Sequence, residues 1–202
     1  MIKKLLLIVA LLPSISWAAV TDLATLQQQL SQYPLVRGEF SQLRKIAMFK
    51  QPLQSSGQFT LHQEKGLLWQ QQNPFAVDLV LTENKLRQSV EGQPAQVITA
   101  EQNPMAFYFS RIFLAVFRGD TAQLEQSFTL DLSTGQSQWH LTLTPKTAPL
   151  NQVFRTIQLS GEEEVDSLTL EELRGDITEL SFSHQTHQPE QLSDAEQALF
   201  NF

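Results

Sequence analysis

The side chains able to move protons near neutral pH are four histidines, His62, His140, His184 and His187. Histidine is also a common zinc ligand. His184 and His187 are three residues apart, but they fall in a predicted strand or loop, where this spacing does not place both rings on one face. The chain contains no cysteine. The histidines therefore predict neither a metal site nor a catalytic pair.

Neighbouring carboxylates form the second group with possible chemistry, because two acids can share general acid and base roles. Glu171-Glu172 is one such pair, and residues 162–164 form an acidic trio after Gly161. Exposed strand glutamates and a solvated turn are the simpler interpretations. No nucleophile elbow, phosphate-cradling glycine loop or dinucleotide fingerprint accompanies them. We expect no enzyme activity, cofactor or metal.

The chain is rich in bulky apolar side chains at alternating positions, which can either fill a core or line a cavity. Periodicity alone favours an ordinary core, whereas a curved sheet with few helices favours a cavity, since barrel mouths are common ligand sites. The side chains predicted to line a hydrophobic cargo cavity are Phe40, Phe59, Leu61, Leu67, Trp69, Phe75, Val77, Leu79, Leu81, Phe107, Phe113, Leu141 and Leu143.

Residues 55–81 must position many of these side chains. Apolar residues alternate with polar ones on both sides of the turn Glu64-Lys65-Gly66, which predicts an antiparallel ribbon with one apolar face. Pro74 interrupts the pattern, and the alternation resumes after it. Leu67 follows the turn directly and is expected at the rim of the ribbon.

Two helices are predicted to cover that face. Residues 21–31 carry leucines at helical spacing after an N-cap at Thr21 or Asp22. Residues 104–117 are apolar on nearly every side, begin after Asn103 and end at Gly119, and are too short to span a bilayer. The side chains predicted to form the lid are Leu23, Leu26, Leu30, Met105, Phe109 and Ile112.

Short alternating segments recur after the second helix, around Phe128, Trp139, Leu159, Leu168 and Phe182. Meanders with an apolar inner face close into barrels or wrap around helices. The sequence therefore predicts an α+β fold that is mainly β, a half-open antiparallel barrel capped by two helices. The tail from residue 194 is expected to form a short helix or a final strand.

The first 18 residues have the composition of a signal peptide. Lys3 and Lys4 precede an apolar run, and Ser16-Trp17-Ala18 supplies small residues for cleavage near Ala18. We expect residues 19–202 to form a single soluble exported domain without a permanent membrane anchor. The net charge of −7 falls by two, to −9, without the two lysines. An acidic surface argues against nucleic acid as a partner.

Several short motifs resemble the LolA family of periplasmic lipoprotein carriers. They are Phe40-Ser-Gln, Ser56-Gly-Gln-Phe, the segment Gly66-Leu-Leu-Trp that leads to Asn73-Pro74, Asn103-Pro-Met, and Leu143-Thr-Pro-Lys. The resemblance covers essentially the whole mature chain. It implies an unclosed barrel of about eleven strands with a helical lid, in the periplasm of a Gram-negative bacterium.

The resemblance also implies a function. The expected protein is a monomeric carrier that receives acylated lipoproteins from an inner-membrane release complex and delivers them to an outer-membrane acceptor lipoprotein. Because the chain has no cysteine, it cannot itself be that lipid-anchored acceptor. The family's pocket arginine corresponds to Gln63, a neutral residue, and Arg44 and Arg111 are its possible substitutes.

Two alternatives remain open at this point. The cargo is a lipoprotein or another lipid, such as a glycolipid or a polyene lipid. The second alternative is a sensor or scaffold domain that has the same fold but carries nothing.

Overall fold

A computed structural model describes residues 20–135 and 138–202, apart from the side chains of Met105, Ala106 and Phe109. The predicted signal peptide lies outside the described residues, as do the side chains of Met105 and Phe109, which the sequence assigns to the lid. Within the described residues, eleven strands form one antiparallel sheet. They are β1 (Leu35–Lys45), β2 (Leu53–His62), β3 (Gly66–Asn73), β4 (Val77–Leu81), β5 (Lys85–Val90), β6 (Gln96–Thr99), β7 (Phe128–Thr134), β8 (Trp139–Pro145), β9 (Phe154–Gly161), β10 (Ser167–Glu172) and β11 (Ile177–Thr186).

The sheet is unclosed, with strand order β6-β5-β4-β3-β2-β1-β11-β10-β9-β8-β7. The chain begins at the central strand β1 and runs outward to the edge strand β6. It then crosses to the opposite edge strand β7 through two helices and returns to β1 through β11. This architecture confirms the predicted α+β half-open barrel.

Four helices accompany the sheet in the described part of the chain: α1 (Leu23–Leu30), α2 (Pro104–Phe117), α3 (Thr121–Ser127) and α4 (Asp194–Phe200). The bounds predicted for α1 and α2 are confirmed, α3 was not predicted, and the uncertain C-terminal tail is helical. None of these helices is long and apolar enough to cross a membrane.

Local chemistry explains where the helices begin and end. In α1 the Asp22 carboxylate accepts from the Thr25 backbone N–H at 2.8 Å, and the Thr25 hydroxyl accepts from the Asp22 N–H at 3.0 Å. Helix α2 ends at Phe117, and Gly119 follows it with a φ of +61°, which suits glycine. Asp120 then caps α3 by accepting from the Gln123 N–H at 3.0 Å.

The inner face of the sheet packs against α1, α2 and α3 in one large core. Phe40 stacks on Trp69 with ring centroids 3.6 Å apart, and Phe182 meets Phe59 edge-on at 5.3 Å. Phe117 at the end of α2 contacts Phe182 at 5.3 Å. Aromatic side chains from β1, β2, β3 and β11 therefore meet the lid helix in one cluster.

The outer face is apolar in one region, which corrects the prediction of a ribbon with a single apolar face. Leu68 and Val80 point outward and form a second, smaller core with Phe200 of α4. The helix is also held by an ion pair, because Arg37 Nε lies 2.7 Å from Glu196 Oε1. Arg37 holds the pKa of Glu196 at about 2.

Candidate functional site

Helix α2 forms a roof over the inner face because it carries apolar side chains on nearly every side. Phe107, Leu114, Ala115 and Val116 are buried, whereas Arg111 is exposed and points away from the sheet. A helix with so few polar groups can leave the sheet only if another apolar surface replaces it.

Beneath α2 lies an apolar cavity of about 280 Å³. Its walls come from the middle and end of α2, from the inner faces of β4, β9 and β10, and from the turn at Leu150–Gln152. The lining residues are Leu81, Ser110, Ile112, Phe113, Val116, Leu150, Phe154, Ile157, Leu168 and Leu170. All but Ser110 are apolar, so the cavity suits hydrocarbon rather than a polar metabolite.

The cavity is small for a ligand site. Ligand pockets span roughly 300–1,000 Å³, and 280 Å³ lies just below that range. Phe113 and Val116 of α2 border the same space, so movement of α2 would enlarge it. In the structure α2 therefore packs on the inner face of the sheet and forms one wall of this cavity.

Most of the side chains predicted to line a cargo cavity are buried on the inner face. The buried ones are Phe40, Phe59, Leu61, Leu67, Leu81, Phe107, Leu141 and Leu143. Only Leu81 and Phe113 of the predicted set border the cavity itself, while Trp69 is half-buried against the core. Leu67 lies in the core rather than at the rim, because its partner in the sheet is Leu61 on one side and Leu81 on the other.

Phe75 is a correction to the prediction. It lies in the turn between β3 and β4 and is 65 % exposed. Pro74 ends the alternation of β3, so Phe75 belongs to the turn and its side chain does not face inward. The inward-facing row resumes at Val77 in β4. Val77 and Leu79 are half-buried and lie outside the main core cluster.

The predicted lid residues that the structure describes divide between two helices. Leu26 and Leu30 of α1 are buried and Leu23 is half-buried against the same core. Ile112 of α2 is buried and borders the cavity.

Gln63, at the position of the family's pocket arginine, holds the segment that follows α1. Its side-chain amide donates to the carbonyl oxygens of Ser31 and Tyr33, each at 2.9 Å. Its backbone N–H donates to the Pro34 carbonyl at 2.9 Å. A neutral amide thus fastens the end of the first lid helix to the turn between β2 and β3.

The acidic trio also contacts α1. The Gln29 side-chain amide donates to the backbone carbonyls of Glu162 at 2.7 Å and Glu163 at 3.0 Å. Burial, together with the nearby Glu163 and Asp166 carboxylates, raises the pKa of Glu164 to about 7. A turn that seemed merely solvated in the sequence therefore supports a lid helix.

The cavity lining from the C-terminal half of the sheet was not predicted. The alternation of Leu168 with Leu170 identified a strand, but periodicity does not say which strand faces an unfilled space. Leu150 follows Pro149 in a loop without any periodic pattern. The lateral pairing of β9 with β10, which only the folded sheet provides, brings these side chains together.

A larger open groove of about 680 Å³ runs along β1, β2 and β11. Ser41 pairs with Ser56 and Ser181 in neighbouring strands, and this row alternates with the inward-facing Phe40. The groove therefore lies on the outer face. Its lining is mostly serine, glutamine and asparagine, so it suits an acyl chain less well than the cavity beneath α2 does.

Comparison with known proteins gave one family match. A family described as outer membrane lipoprotein carrier protein LolA-like matches residues 16–198. No curated protein matches the chain in sequence.

Solved structures give distant alignments. A LolA superfamily protein from Nitrosomonas europaea aligns with 9 % identity and a TM-score of 0.46 over 90 % of this chain and 98 % of its own. A domain described as a putative outer membrane lipoprotein-sorting protein from Vibrio parahaemolyticus aligns with 9 % identity and a TM-score of 0.48. The alignment covers 89 % of this chain and 97 % of that domain. A chain of the MucA/MucB complex of Pseudomonas aeruginosa aligns with 14 % identity and a TM-score of 0.47. The alignment covers 85 % of this chain and 59 % of that chain. Such distant alignments say nothing about cargo or partners.

Proposed function

The chain belongs to the outer membrane lipoprotein carrier protein LolA-like family, and from this premise we propose that it is a periplasmic carrier that shields the acyl chains of lipoproteins between the two membranes. The observation that supports the proposal best is the apolar cavity between α2 and the inner face of the sheet. Its hydrocarbon lining suits acyl chains, and in this proposal its roof, α2, moves to admit them.

Magnitudes limit how a carrier can hold its cargo. Transfer of an acyl chain from water is worth roughly 0.8 kcal/mol per CH₂. Three long chains would exceed the limit of roughly 18–21 kcal/mol observed for non-covalent binding. A carrier must also release its cargo, so we infer that burial is partial and that lid opening offsets part of the gain.

Lid opening has an identifiable cost. Phe113, Val116 and Ile112 leave the cavity walls when α2 moves, and each loses apolar contact that cargo chains can replace. Tyr108 of α2 also gives up a contact with Ser127 of α3, where the two hydroxyl oxygens lie 3.2 Å apart. The empty and loaded states therefore exchange similar apolar areas, which permits both loading and release.

The proposed setting follows from the family. The chain is exported by a signal peptide, works as a monomer, and exchanges cargo with an inner-membrane release complex and an outer-membrane acceptor lipoprotein. Since the family is described as a carrier, the proposed activity is binding without catalysis.

The test is native mass spectrometry of the protein from a periplasmic extract of its own host, prepared without detergent. We expect one triacylated lipoprotein per chain. A glycolipid or polyene lipid would keep the carrier role and change the cargo, whereas a protein that is always empty would contradict the carrier role.

Two matched variants make this test specific to the cavity. Leu170→Trp places a large ring in the cavity wall and should abolish cargo recovery. Leu173→Trp makes the same change in an exposed turn three residues later, where the leucine is 48 % exposed, and should leave cargo recovery intact. Equal recovery from both variants would show that cargo binds elsewhere.

A further inference from the structure

We propose that Arg44 forms a subsite at the edge of the apolar cavity for the carbonyl oxygen of an acyl ester or amide, where the cargo chain joins its head group. This inference rests on the proposed carrier function and adds the chemical class that the site selects. Arg44 belongs to neither the cavity lining nor the position of the family's pocket arginine.

The register of the sheet places Arg44 on the inner face beside the cavity. Arg44 lies opposite Thr178 of β11, and Thr178 lies opposite Leu170 of β10. Directly opposed residues share a face, and adjacent strands are about 4.8 Å apart, so the backbones of Arg44 and Leu170 are separated by about 10 Å. Leu170 borders the cavity.

The side chain of Arg44 extends across the sheet toward β10, the strand that carries Leu170. Its Nη2 lies 3.5 Å from Glu172 Oε1, so the guanidinium reaches across β11 to β10. Glu172 lies opposite Phe154, which borders the cavity. The guanidinium therefore reaches the strand that contributes Leu170 to the cavity wall, while 38 % of the Arg44 side chain is exposed to solvent.

One donor of this guanidinium makes no hydrogen bond within the described part of the chain. Arg44 Nε is buried and has no hydrogen-bond partner there. A buried donor without an acceptor loses its hydration and gains nothing in return. An acceptor supplied by the ligand would remove this penalty, so the unsatisfied Nε points to a ligand oxygen.

The charges of Arg44 and Glu172 decide which type of ligand oxygen can bind at this subsite. Glu172 neutralises Arg44, and a phosphate or carboxylate placed there would meet the negative charge of Glu172. A carbonyl oxygen carries no net charge and accepts one hydrogen bond without that repulsion. An acyl chain whose tail fills the cavity ends in such a carbonyl, which ether lipids and plain hydrocarbons lack.

The test uses two probes that differ by this carbonyl, 1-monolauroylglycerol and 1-O-dodecylglycerol, in titration calorimetry below their micelle concentrations. One hydrogen bond to a charged donor corresponds to about a tenfold change in affinity, so the wild-type chain should bind the ester about tenfold more tightly. Arg44→Met removes the donor and should equalise the two affinities. Glu172 stays paired in this variant, because Arg174 Nε lies 2.8 Å from Glu172 Oε2.

Lys45→Met is the matched control. Lys45 is the next residue along β1 and faces the outer surface, where its Nζ lies 2.7 Å from Glu179 Oε1. This variant should keep the wild-type preference for the ester, and circular dichroism confirms that both variants fold.

The outcomes separate the two proposals. Equal affinity of the wild-type chain for ester and ether would overturn the subsite and leave the carrier role standing. A uniform loss for both probes in Arg44→Met would also overturn it, because the guanidinium would then serve the fold. If the wild-type chain bound neither probe, the carrier proposal would fail and the subsite with it.

The carbonyl occurs in lipoproteins and in free acylated lipids, and competition distinguishes these sources. A triacylated lipopeptide or a lauroyl sugar ester is added to the protein loaded with 1-monolauroylglycerol. Displacement by either competitor supports the subsite and identifies the source. Displacement by neither would contradict it.

Discussion

Glu164 is a residue whose protonation depends strongly on the fold. Burial and the neighbouring Glu163 and Asp166 carboxylates raise its pKa from an ordinary value of 4.5 to about 7. His187 Nε2 lies 3.1 Å from Glu164 Oε1, and Tyr33 stacks on the His187 ring with centroids 3.5 Å apart. The folded chain therefore keeps a proton that the unfolded chain releases between pH 4.5 and 7.

This pKa shift predicts how stability depends on pH. A raised folded pKa stabilises the folded state fully below pH 4.5, and the contribution is lost as pH rises through about 7. Relative to Glu164→Gln, the wild-type free energy of unfolding should fall by on the order of 3 kcal/mol over this window. Urea denaturation at several pH values measures the difference.

The control for this prediction is Glu162→Gln, the same change at an exposed position in the same turn. It should leave the pH profile close to that of the wild type. A Glu164→Gln profile that parallels the wild type between pH 4.5 and 7 would show that Glu164 titrates normally.

At the scale of elements, the two lid helices meet at one glycine. Gly119 follows α2 with a φ of +61°, and a Cβ placed there would lie 3.0 Å from Leu30 Cβ in α1. A second glycine, Gly92, has a φ of +76° but nothing within 4 Å of its added Cβ. Alanine at Gly92 would therefore add backbone strain alone, whereas alanine at Gly119 would add the same strain and a close contact with α1.

We expect Gly119→Ala to destabilise the protein more than Gly92→Ala does. Both variants place alanine in the left-handed region at a cost of about 1–2 kcal/mol. Only Gly119→Ala also pushes α1 away from α2, so its loss should exceed that of Gly92→Ala by about 1 kcal/mol or more. Amide hydrogen exchange should rise in α1 for Gly119→Ala alone.

Equal losses of unfolding free energy in the two alanine variants would show that α1 accommodates the methyl group. Unchanged amide hydrogen exchange in α1 would also show that this helix accommodates the methyl group. Either result would mean that the two lid helices are not rigidly coupled at this contact.

The elements themselves were largely predictable from the sequence, because alternation and caps act locally. The pattern from Asn103 to Gly119 fixes both ends of α2. Helix α3 was missed because its seven residues, TAQLEQS, are mostly polar and too few to show a period. Phe75 was misplaced because a proline turn changes the direction of the next side chain.

At the scale of the whole molecule, periodicity tells which face a side chain takes but not what covers that face. No local pattern indicates that α4 covers Leu68 and Val80 on the outer face. The cavity was equally hidden, since its walls come from β4 in the first half of the chain and from β9 and β10 in the second half. Packing between distant segments decides both features.

Because the sheet is covered on both faces, stability and cargo binding can be separated. Leu68 on the outer face and Leu168 on the inner face are both 1 % exposed, but only Leu168 borders the cavity. Replacing either leucine by alanine should lower the free energy of unfolding by about 2–5 kcal/mol. The two variants are therefore matched in substitution and in burial.

The two variants should nevertheless differ in their affinity for cargo. Leu168→Ala enlarges the apolar cavity, so more of an acyl chain can enter, and the affinity for 1-monolauroylglycerol should rise in titration calorimetry. Leu68→Ala loosens only the contact with α4, so its affinity should match that of the wild type. If both variants weakened binding in proportion to their lost stability, the cavity would be ordinary core, and acyl chains would bind another surface of the sheet.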